Sequence, residues 1–150
     1  LDSVLIIAQS LVEDGRYDRE KLKNEFELII SQIPSKLKIY LKKHPRSDVS
    51  IYTDLSRKII ITDKLVITKY VISGYSSLMK LYFDKINSNI FSWKFINHHN
   101  PSNLDSYTTL IGREKELSLF FKIPTKKILT KFQKFDVGNE YLKKINEILN

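Results

Sequence analysis

Cysteine is absent from the 150 residues of the chain. Its absence excludes disulfide bonds, thiolate metal sites and thiol catalysis. A chain without cysteine fits a reducing compartment, so we expect an intracellular protein of the nucleus or cytoplasm. The sequence begins with leucine, and we expect it to be a fragment of a longer protein.

Glycine is scarce, with four residues in the chain, Gly15, Gly74, Gly112 and Gly138. They form no Gly-rich phosphate loop, and no Gly-x-Ser-x-Gly turn marks a nucleophilic serine. The sequence therefore predicts no cofactor and gives no positive indication of an enzyme.

Long hydrophobic runs are also missing. Apolar stretches such as those at 59–61 and 65–67 are short and are interrupted by charged residues. A membrane-spanning helix needs about 20 predominantly apolar residues. We therefore predict a soluble protein without a membrane partner.

Histidine and acidic residues do not assemble a metal site. His98 and His99 are adjacent, with Asp105 nearby. On an extended segment adjacent side chains point to opposite sides, and no further ligand completes a coordination sphere. We interpret residues 97–107 as a polar surface loop and predict no metal.

Acidic residues are too few to balance the basic ones, which leaves a net charge of +8. The acids concentrate in residues 1–33, so the remainder is strongly basic. A basic body favours phosphate-rich or acidic partners. Lysine outnumbers arginine 20 to 5, and lysine binds phosphate as a flexible point charge whereas arginine reads guanine edges. We expect any contact with nucleic acid to involve its backbone more than its base sequence.

The first third of the chain shows apolar residues at helical spacing. Within Val4–Leu11 they recur three and four residues apart, and Gly15 is placed to end that helix. Asp18 can cap a second helix, whose apolar stripe runs through Leu22–Ile33 and ends at Pro34. Two consecutive helices are therefore predicted.

A third helix is predicted over residues 35–43. It would turn Leu37, Tyr40 and Leu41 inward and end at His44, which precedes a proline and can complement the last carbonyls. Residues 1–44 are therefore predicted to form a helical layer.

The composition changes after residue 48, where β-branched residues dominate. We predict antiparallel strands within residues 48–72, joined by a tight turn at Thr62–Lys64. The alternative makes Tyr52–Arg57 and Asp63–Ile72 the helices of a helix-turn-helix. Valine, isoleucine and threonine lose side-chain freedom in helices, which favours the strands.

A helix capped by Ser76 or Ser77 and broken after Ile86 is predicted next, followed by a strand at 90–96. In that strand Phe91, Trp93 and Phe95 share one face, which we interpret as core. The alternative is stacking of unpaired bases on these rings, but the one interleaved lysine, Lys94, lies on the opposite face.

The stretch 113–134 resembles two short helices joined by a tight turn, the outline of a helix-turn-helix. Leu117, Ser118 and Phe121 supply the apolar, small and apolar positions of a first helix, and Ile123 and Ile128 can anchor the turn and the second helix. Lys122 departs from the glycine usual in the turn, and Lys131 stands where an apolar anchor is expected. A last helix is predicted to follow residue 138.

The predicted second helix, residues 125–135, carries basic and hydroxyl side chains on its outer face. That face would meet the phosphates of a duplex, although the same pattern also fits a solvated surface. With the preceding turn, the candidate residues are Lys122, Thr125, Lys126, Lys127, Thr130, Lys131 and Lys134. A second basic cluster is predicted from Lys36, Lys42, Lys43 and Arg46.

The sequence thus predicts one helix-rich α+β domain over residues 1–150. It would comprise a helical layer at 1–44, a mixed core at 45–100 with a small antiparallel sheet, and C-terminal helices at 107–150. The predicted function is binding of nucleic acid, DNA in the first place, or of another polyanion. The alternative is a non-catalytic interaction module that contacts other protein subunits of a larger assembly.

Overall fold

A computed structural model of the chain describes residues 3–74, 76–93, 109–111 and 114–123. These residues form an α/β fold around one parallel sheet, so the predicted helix-rich α+β fold with an antiparallel sheet is wrong. The strands are β1 (Ser3–Ile7), β2 (Lys38–Lys42), β3 (Ile59–Thr62), β4 (Tyr70–Ser73), β5 (Asn89–Trp93) and β6 (Thr109–Ile111). The helices are α1 (Arg19–Gln32), α2 (Ser77–Leu81) and α3 (Glu114–Phe120), with a 3-10 turn at Val49–Tyr52 and a π-helical turn at Tyr82–Ile86.

The sheet has the strand order β3-β2-β1-β4-β5-β6, and every neighbouring pair within it is parallel. Strand β1 is central, since it pairs with β2 on one side and β4 on the other. Along the chain, β2 and β3 are added on one side of β1. The chain then returns, and β4, β5 and β6 are added on the other side. The point where the order reverses lies between β1 and β4.

Strand β1 replaces the first predicted helix. All five of its residues are buried, because both faces of a central parallel strand are covered. Such a strand is apolar throughout, and a continuous apolar run matches helical spacing by chance. Gly15, which was predicted to end that helix, instead ends a single turn of chain that follows β1.

Strand β2 replaces the third predicted helix. Leu37, Ile39 and Leu41 are buried, whereas Lys38 is exposed and Tyr40 is half-buried. This alternation has the period of a strand. With β1 and β2 extended, no helical layer forms over residues 1–44.

Strands β3 and β4 confirm that residues 48–72 contain strands but not that these strands are antiparallel. A tight turn at Thr62–Lys64 would make them hydrogen-bonded neighbours, yet β2 and β1 lie between them. Residues 63–69 instead cross over the sheet, and the Tyr82 hydroxyl holds this crossover by donating to the Val66 carbonyl at 2.7 Å and accepting from the Val66 amide at 3.1 Å. The alternative pair of helices at 52–57 and 63–72 is absent, since no α-helix occurs in either described range.

Helix α1 confirms the predicted second helix. The Asp18 side chain accepts from the backbone amide of Lys21, which caps the first turn. Leu22, Phe26 and Ile30 are buried against the sheet. The sequence was sufficient to predict this helix, because the capping residue and the apolar stripe indicate the same helical segment.

Helices cover both faces of the sheet. Val4 and Ile6 of β1 face α1 and α3 and join the larger core cluster with Phe26 and Phe120. Leu5 and Ile7 point the other way and join a second cluster with Met79 and Tyr82, among others. The fold is therefore a doubly wound sheet with a core on each face.

Helix α2 confirms the predicted helix after Ser76, and strand β5 confirms the predicted strand at 90–96 as far as residue 93, beyond which it lies outside the described residues. The Ser76 hydroxyl accepts from the Leu78 amide at 3.2 Å, and the helical path ends where Asn87 adopts a left-handed conformation with φ of 64°. Asparagine tolerates this conformation better than most residues. Strand β5 pairs in parallel with β4, and Phe91 is fully buried, as its predicted core position requires.

Helix α3 matches the first helix of the predicted helix-turn-helix. Leu117 and Phe120 are buried, and Phe120 stacks near Phe91 with ring centroids 4.7 Å apart. The predicted second helix at 125–135, the last helix and the loop at 97–107 lie outside the described residues. Within the part of the chain that is described, no helix has the length and apolar character needed to cross a bilayer.

Candidate anion-binding crevice

A crevice of about 550 Å³ opens beyond the carboxyl ends of β1, β2 and β4. It lies at the point where the strand order reverses, which is where doubly wound sheets bind their ligands. Its volume is within the range of small-molecule sites. The walls come from Ile7, Ala8, Gln9, Ser10, Leu11, Asp14, Arg16, Lys42, Lys43, His44, Pro45, Leu65, Ser76, Ser77 and Leu78.

The connection from β1 to α1 forms the first wall. After β1 the chain makes one turn, in which the Gly15 amide donates to the Val12 carbonyl at 3.0 Å and the Arg16 amide to the Leu11 carbonyl at 2.8 Å. These two bonds, with φ of 68° at Gly15, are a Schellman closure. A side chain at position 15 would have open space around it but a strained backbone. The glycine therefore sets the chain direction between Asp14 and Arg16.

Basic side chains from the end of β2 form the second wall. Lys42 and Lys43 line the crevice with His44, and Arg16 adds a further cation from the first wall. The Lys42 ammonium donates to the Lys43 carbonyl at 3.2 Å. Among the described lining residues, three permanent cations therefore accompany one carboxylate, that of Asp14. The crevice is suited to an anionic ligand.

The imidazole of His44 is held in one orientation. Its Nδ1 accepts from the Arg46 backbone amide at 3.1 Å, while the His44 amide donates to the Ser47 hydroxyl at 2.8 Å. When one ring nitrogen is an acceptor, the neutral imidazole carries its proton on the other. Nε2 is then the donor that remains for a ligand.

The Asp14 carboxylate is engaged within the protein. It accepts from the Ser10 hydroxyl at 2.8 Å and forms an ion pair with Arg46, whose Nη2 lies 2.8 Å from Oδ1 and 2.9 Å from Oδ2. The Asp14 side chain is 22% exposed and that of Arg46 66% exposed. Asp14, the one acid among the described lining residues, is therefore paired with an arginine that does not itself line the crevice.

Further polar contacts tie the two walls together. The Glu13 carboxylate accepts from the Asp48 amide at 2.8 Å, and Arg19 at the start of α1 pairs with the Asp48 carboxylate at 2.8 Å. Hydrogen bonds from Ser50 and the charge of Arg19 hold the pKa of Asp48 below its usual range. These contacts connect the turn after β1 to the turn after β2 and so hold the first two walls of the crevice together.

The third wall is the start of α2. Ser76 and Ser77 present hydroxyl groups to the crevice, and Ser76 also caps the helix. The amides of Leu78 and Met79 are bonded to the Ser76 hydroxyl and carbonyl, so the hydroxyls of the two serines are the groups of this wall that complement the cations as phosphate donors.

The sequence-predicted basic residues fall in different places. Lys42 and Lys43 line the crevice. Lys36 lies just before the start of β2, at the other edge of the sheet, and Arg46 forms an ion pair with Asp14 without lining the crevice. Lys122 is exposed after α3. Thr125, Lys126, Lys127, Thr130, Lys131 and Lys134 lie outside the described residues.

Sequence reasoning missed Arg16, His44, Ser76 and Ser77 as members of one site. His44 was assigned to a helix end, but the preceding residues form a strand. The available signal was the position of each residue just after an apolar run, which becomes informative once the runs are assigned as parallel strands. Within the described part of the chain, no three histidine or acidic side chains are grouped to hold a metal.

Comparisons with protein families, curated proteins and solved structures give no match for this chain. The functional argument therefore depends on the crevice itself.

Proposed function

We propose that this domain binds a mononucleotide in the crevice, with the phosphate between the end of β2 and the start of α2. The observation that carries the proposal is the grouping of Lys42, Lys43, His44 and Arg16 at the reversal point of a parallel sheet ordered 3-2-1-4-5-6. This strand order is that of the Rossmann nucleotide-binding fold. Cations and hydroxyls supply the phosphate contacts, and Ile7, Leu11 and Leu65 supply apolar surface for a base or sugar.

A dinucleotide fits the first wall less well. The dinucleotide fingerprint needs glycines directly after β1, so that helix amides reach a pyrophosphate. Here residues 8–18 separate β1 from α1 and contain one glycine, Gly15. Asp14 lies on this wall with both of its oxygens engaged by Arg46, so it adds no donor for a pyrophosphate, which favours a phosphate placed on the other two walls.

The experiment measures the affinity of the protein for AMP, CMP, GMP and UMP by calorimetry, with the matching nucleosides and NAD as comparisons. We expect at least one mononucleotide to bind more tightly than its nucleoside. Lys42→Gln with Lys43→Gln should weaken that binding at least about tenfold, because each charge-assisted contact contributes about 1.5 kcal/mol or more.

Lys36→Gln with Lys38→Gln is the matched control. It removes the same charge from the other end of β2, where both lysines are exposed and outside the crevice. Its affinity should equal that of the wild type. Equal weakening by the two double variants would indicate general charge attraction and would contradict the proposal, as would the absence of mononucleotide binding.

The nucleic-acid-binding and subunit-interaction functions stay predictions from the sequence. The predicted basic helix at 125–135 is tested by measuring binding of a short duplex at low and moderate salt, because phosphate contacts make the affinity fall steeply as salt rises. Lys126→Glu with Lys127→Glu should weaken that binding and leave mononucleotide affinity unchanged. A duplex affinity that is insensitive to salt would contradict this prediction.

A further inference from the structure

Asp14 places one carboxylate in a crevice whose other charged lining residues are cations, and this carboxylate is paired with Arg46. A carboxylate that lines an anion site opposes the ligand charge unless a cation compensates it. Arg46 provides that cation, and it does so without lining the crevice itself. The guanidinium therefore acts on a ligand through Asp14 and not by direct contact.

We propose that Arg46 is a positioning residue of the crevice, which neutralises Asp14 and holds its carboxylate so that a phosphate can enter. The inference rests on the proposed mononucleotide site. Three contacts support it: both Asp14 oxygens lie within 2.9 Å of the same Arg46 nitrogen, and the Ser10 hydroxyl, which lies 3.4 Å from that nitrogen, donates to Asp14 Oδ2 at 2.8 Å.

The role of the Arg46 side chain can be separated from that of its backbone. The Arg46 amide orients His44, and any replacement other than proline keeps this amide. Arg46→Gln therefore removes the charge beside Asp14 and leaves the His44 contact in place. Arg46→Lys keeps the charge and serves as the conservative variant.

The inference makes a charge-specific prediction. Without Arg46 the negative charge of Asp14 opposes a phosphate but not an uncharged nucleoside. Arg46→Gln should weaken binding of the preferred mononucleotide about three- to fivefold, the scale of one partly solvated ion pair, and change nucleoside binding less than about twofold. A purely structural role would weaken both ligands alike.

The test measures both affinities by calorimetry for the wild type and four variants: Arg46→Gln, Arg46→Lys, Asp14→Asn, and Asp14→Asn with Arg46→Gln. We expect Arg46→Lys to bind the mononucleotide more tightly than Arg46→Gln, and the double variant to recover affinity relative to Arg46→Gln. Asp14→Asn alone should bind the mononucleotide more tightly than the wild type, which keeps the test decisive even where Arg46→Gln fails to fold.

Equal loss for nucleotide and nucleoside, no loss in Arg46→Gln, no recovery in the double variant, or no gain in Asp14→Asn would overturn the role of Arg46 while leaving the nucleotide site intact. A wild-type protein that binds no mononucleotide would overturn the proposed function and this inference with it.

Discussion

The amino edge of the sheet, where the strands begin, and the carboxyl edge, where they end, use polar side chains differently. At the amino edge the Thr68 hydroxyl donates to the Ser3 carbonyl at 2.6 Å, and the Ser88 hydroxyl donates to the Thr68 carbonyl at 2.7 Å. Both side chains belong to fully buried residues. Arg57 lies at the same edge and donates to the backbone carbonyls of Ile30, Ile33, Pro34, Ser35 and Leu37.

The carboxyl edge is more open. Lys43 and Arg16 are directed at a crevice, and the bonds that hold Asp14 and His44 still leave surface for a ligand. The comparison teaches that the amino edge uses these polar groups to close the fold, whereas the carboxyl edge combines closing groups, such as the Ser73 hydroxyl that donates to the Ile7 carbonyl at 3.2 Å, with cations that line the crevice. Substitutions of the closing groups at the amino edge should therefore reduce stability, and substitutions of the cations that line the crevice should mainly change affinity.

The largest expected effect is that of Arg57→Met. This change removes the donors for five carbonyls between the end of α1 and the start of β2. We expect a loss of about 2 to 4 kcal/mol in the free energy of unfolding, because several of these carbonyls lose a charged donor at a helix C-terminus. Urea unfolding measures it. The neighbouring exposed Lys58→Met is the control, and an equal effect of the two would contradict the closing role of Arg57.

The next effect is that of Thr68→Val, a replacement of nearly the same shape. It leaves the Ser3 carbonyl without its 2.6 Å donor in a fully buried position. We expect a loss of about 1 to 2 kcal/mol in the free energy of unfolding. Thr53→Val removes a hydroxyl that donates to the Ser50 carbonyl at 3.1 Å on the exposed surface, where water replaces it, and should have little effect. Similar losses in the free energy of unfolding for Thr68→Val and Thr53→Val would contradict the expectation that the buried hydrogen bond at the amino edge contributes more to stability.

A smaller effect is expected from the turn that links the crevice walls. Because its partners lower the pKa of Asp48 in the folded protein, the stability it contributes is present above the ordinary aspartate pKa of about 3.9 and is lost as the pH falls through the lowered value. Asp48→Asn should therefore flatten the acid limb of the stability curve. Thermal unfolding between neutral and acidic pH measures the change, and an acid limb identical to that of the wild type would contradict it.

The smallest stability effect is expected at the crevice. Lys42→Gln with Lys43→Gln should change the free energy of unfolding by less than about 0.5 kcal/mol, because both lysines are partly solvated and the Lys43 carbonyl, to which Lys42 donates, is only partly buried. Urea unfolding of the same preparation used for calorimetry provides the value. A loss comparable to that of Arg57→Met would remove the distinction between the two edges.

Prediction from sequence succeeded where signals within a few residues were sufficient. Asp18 with the stripe from Leu22 gave α1, and Ser76 with Asn87 bounded the helical path of α2. A cap and an apolar stripe are properties of one turn and one face of a helix, so they can be read without neighbours.

Prediction failed for β1 and β2. A strand buried on both faces has no alternation, and Val4–Ile7 are apolar throughout, so their spacing fits a helix equally well. The character of β1 as a strand follows from what covers it, namely α1 and α3 on one face and α2 on the other. Strand β2 does alternate with the period of a strand, but its apolar residues also fit helical spacing. Once β1 was misassigned, the sheet could not be predicted as parallel.

The candidate site was predicted in fragments. Lys42 and Lys43 were identified by charge, but Arg16 and Ser77 are distant from them in sequence and were not connected to them. Their proximity is a consequence of parallel strands ending at one edge.

The sequence by itself determined the composition of this protein, its basic charge, the two capped helical segments and the residues available to bind an anion. The tertiary structure alone decided the order and direction of the strands and therefore which of those residues meet. The reason is physical: caps and stripes act over one or two helical turns, whereas strand order follows from burying both faces of β1 at once, a condition that involves the whole chain.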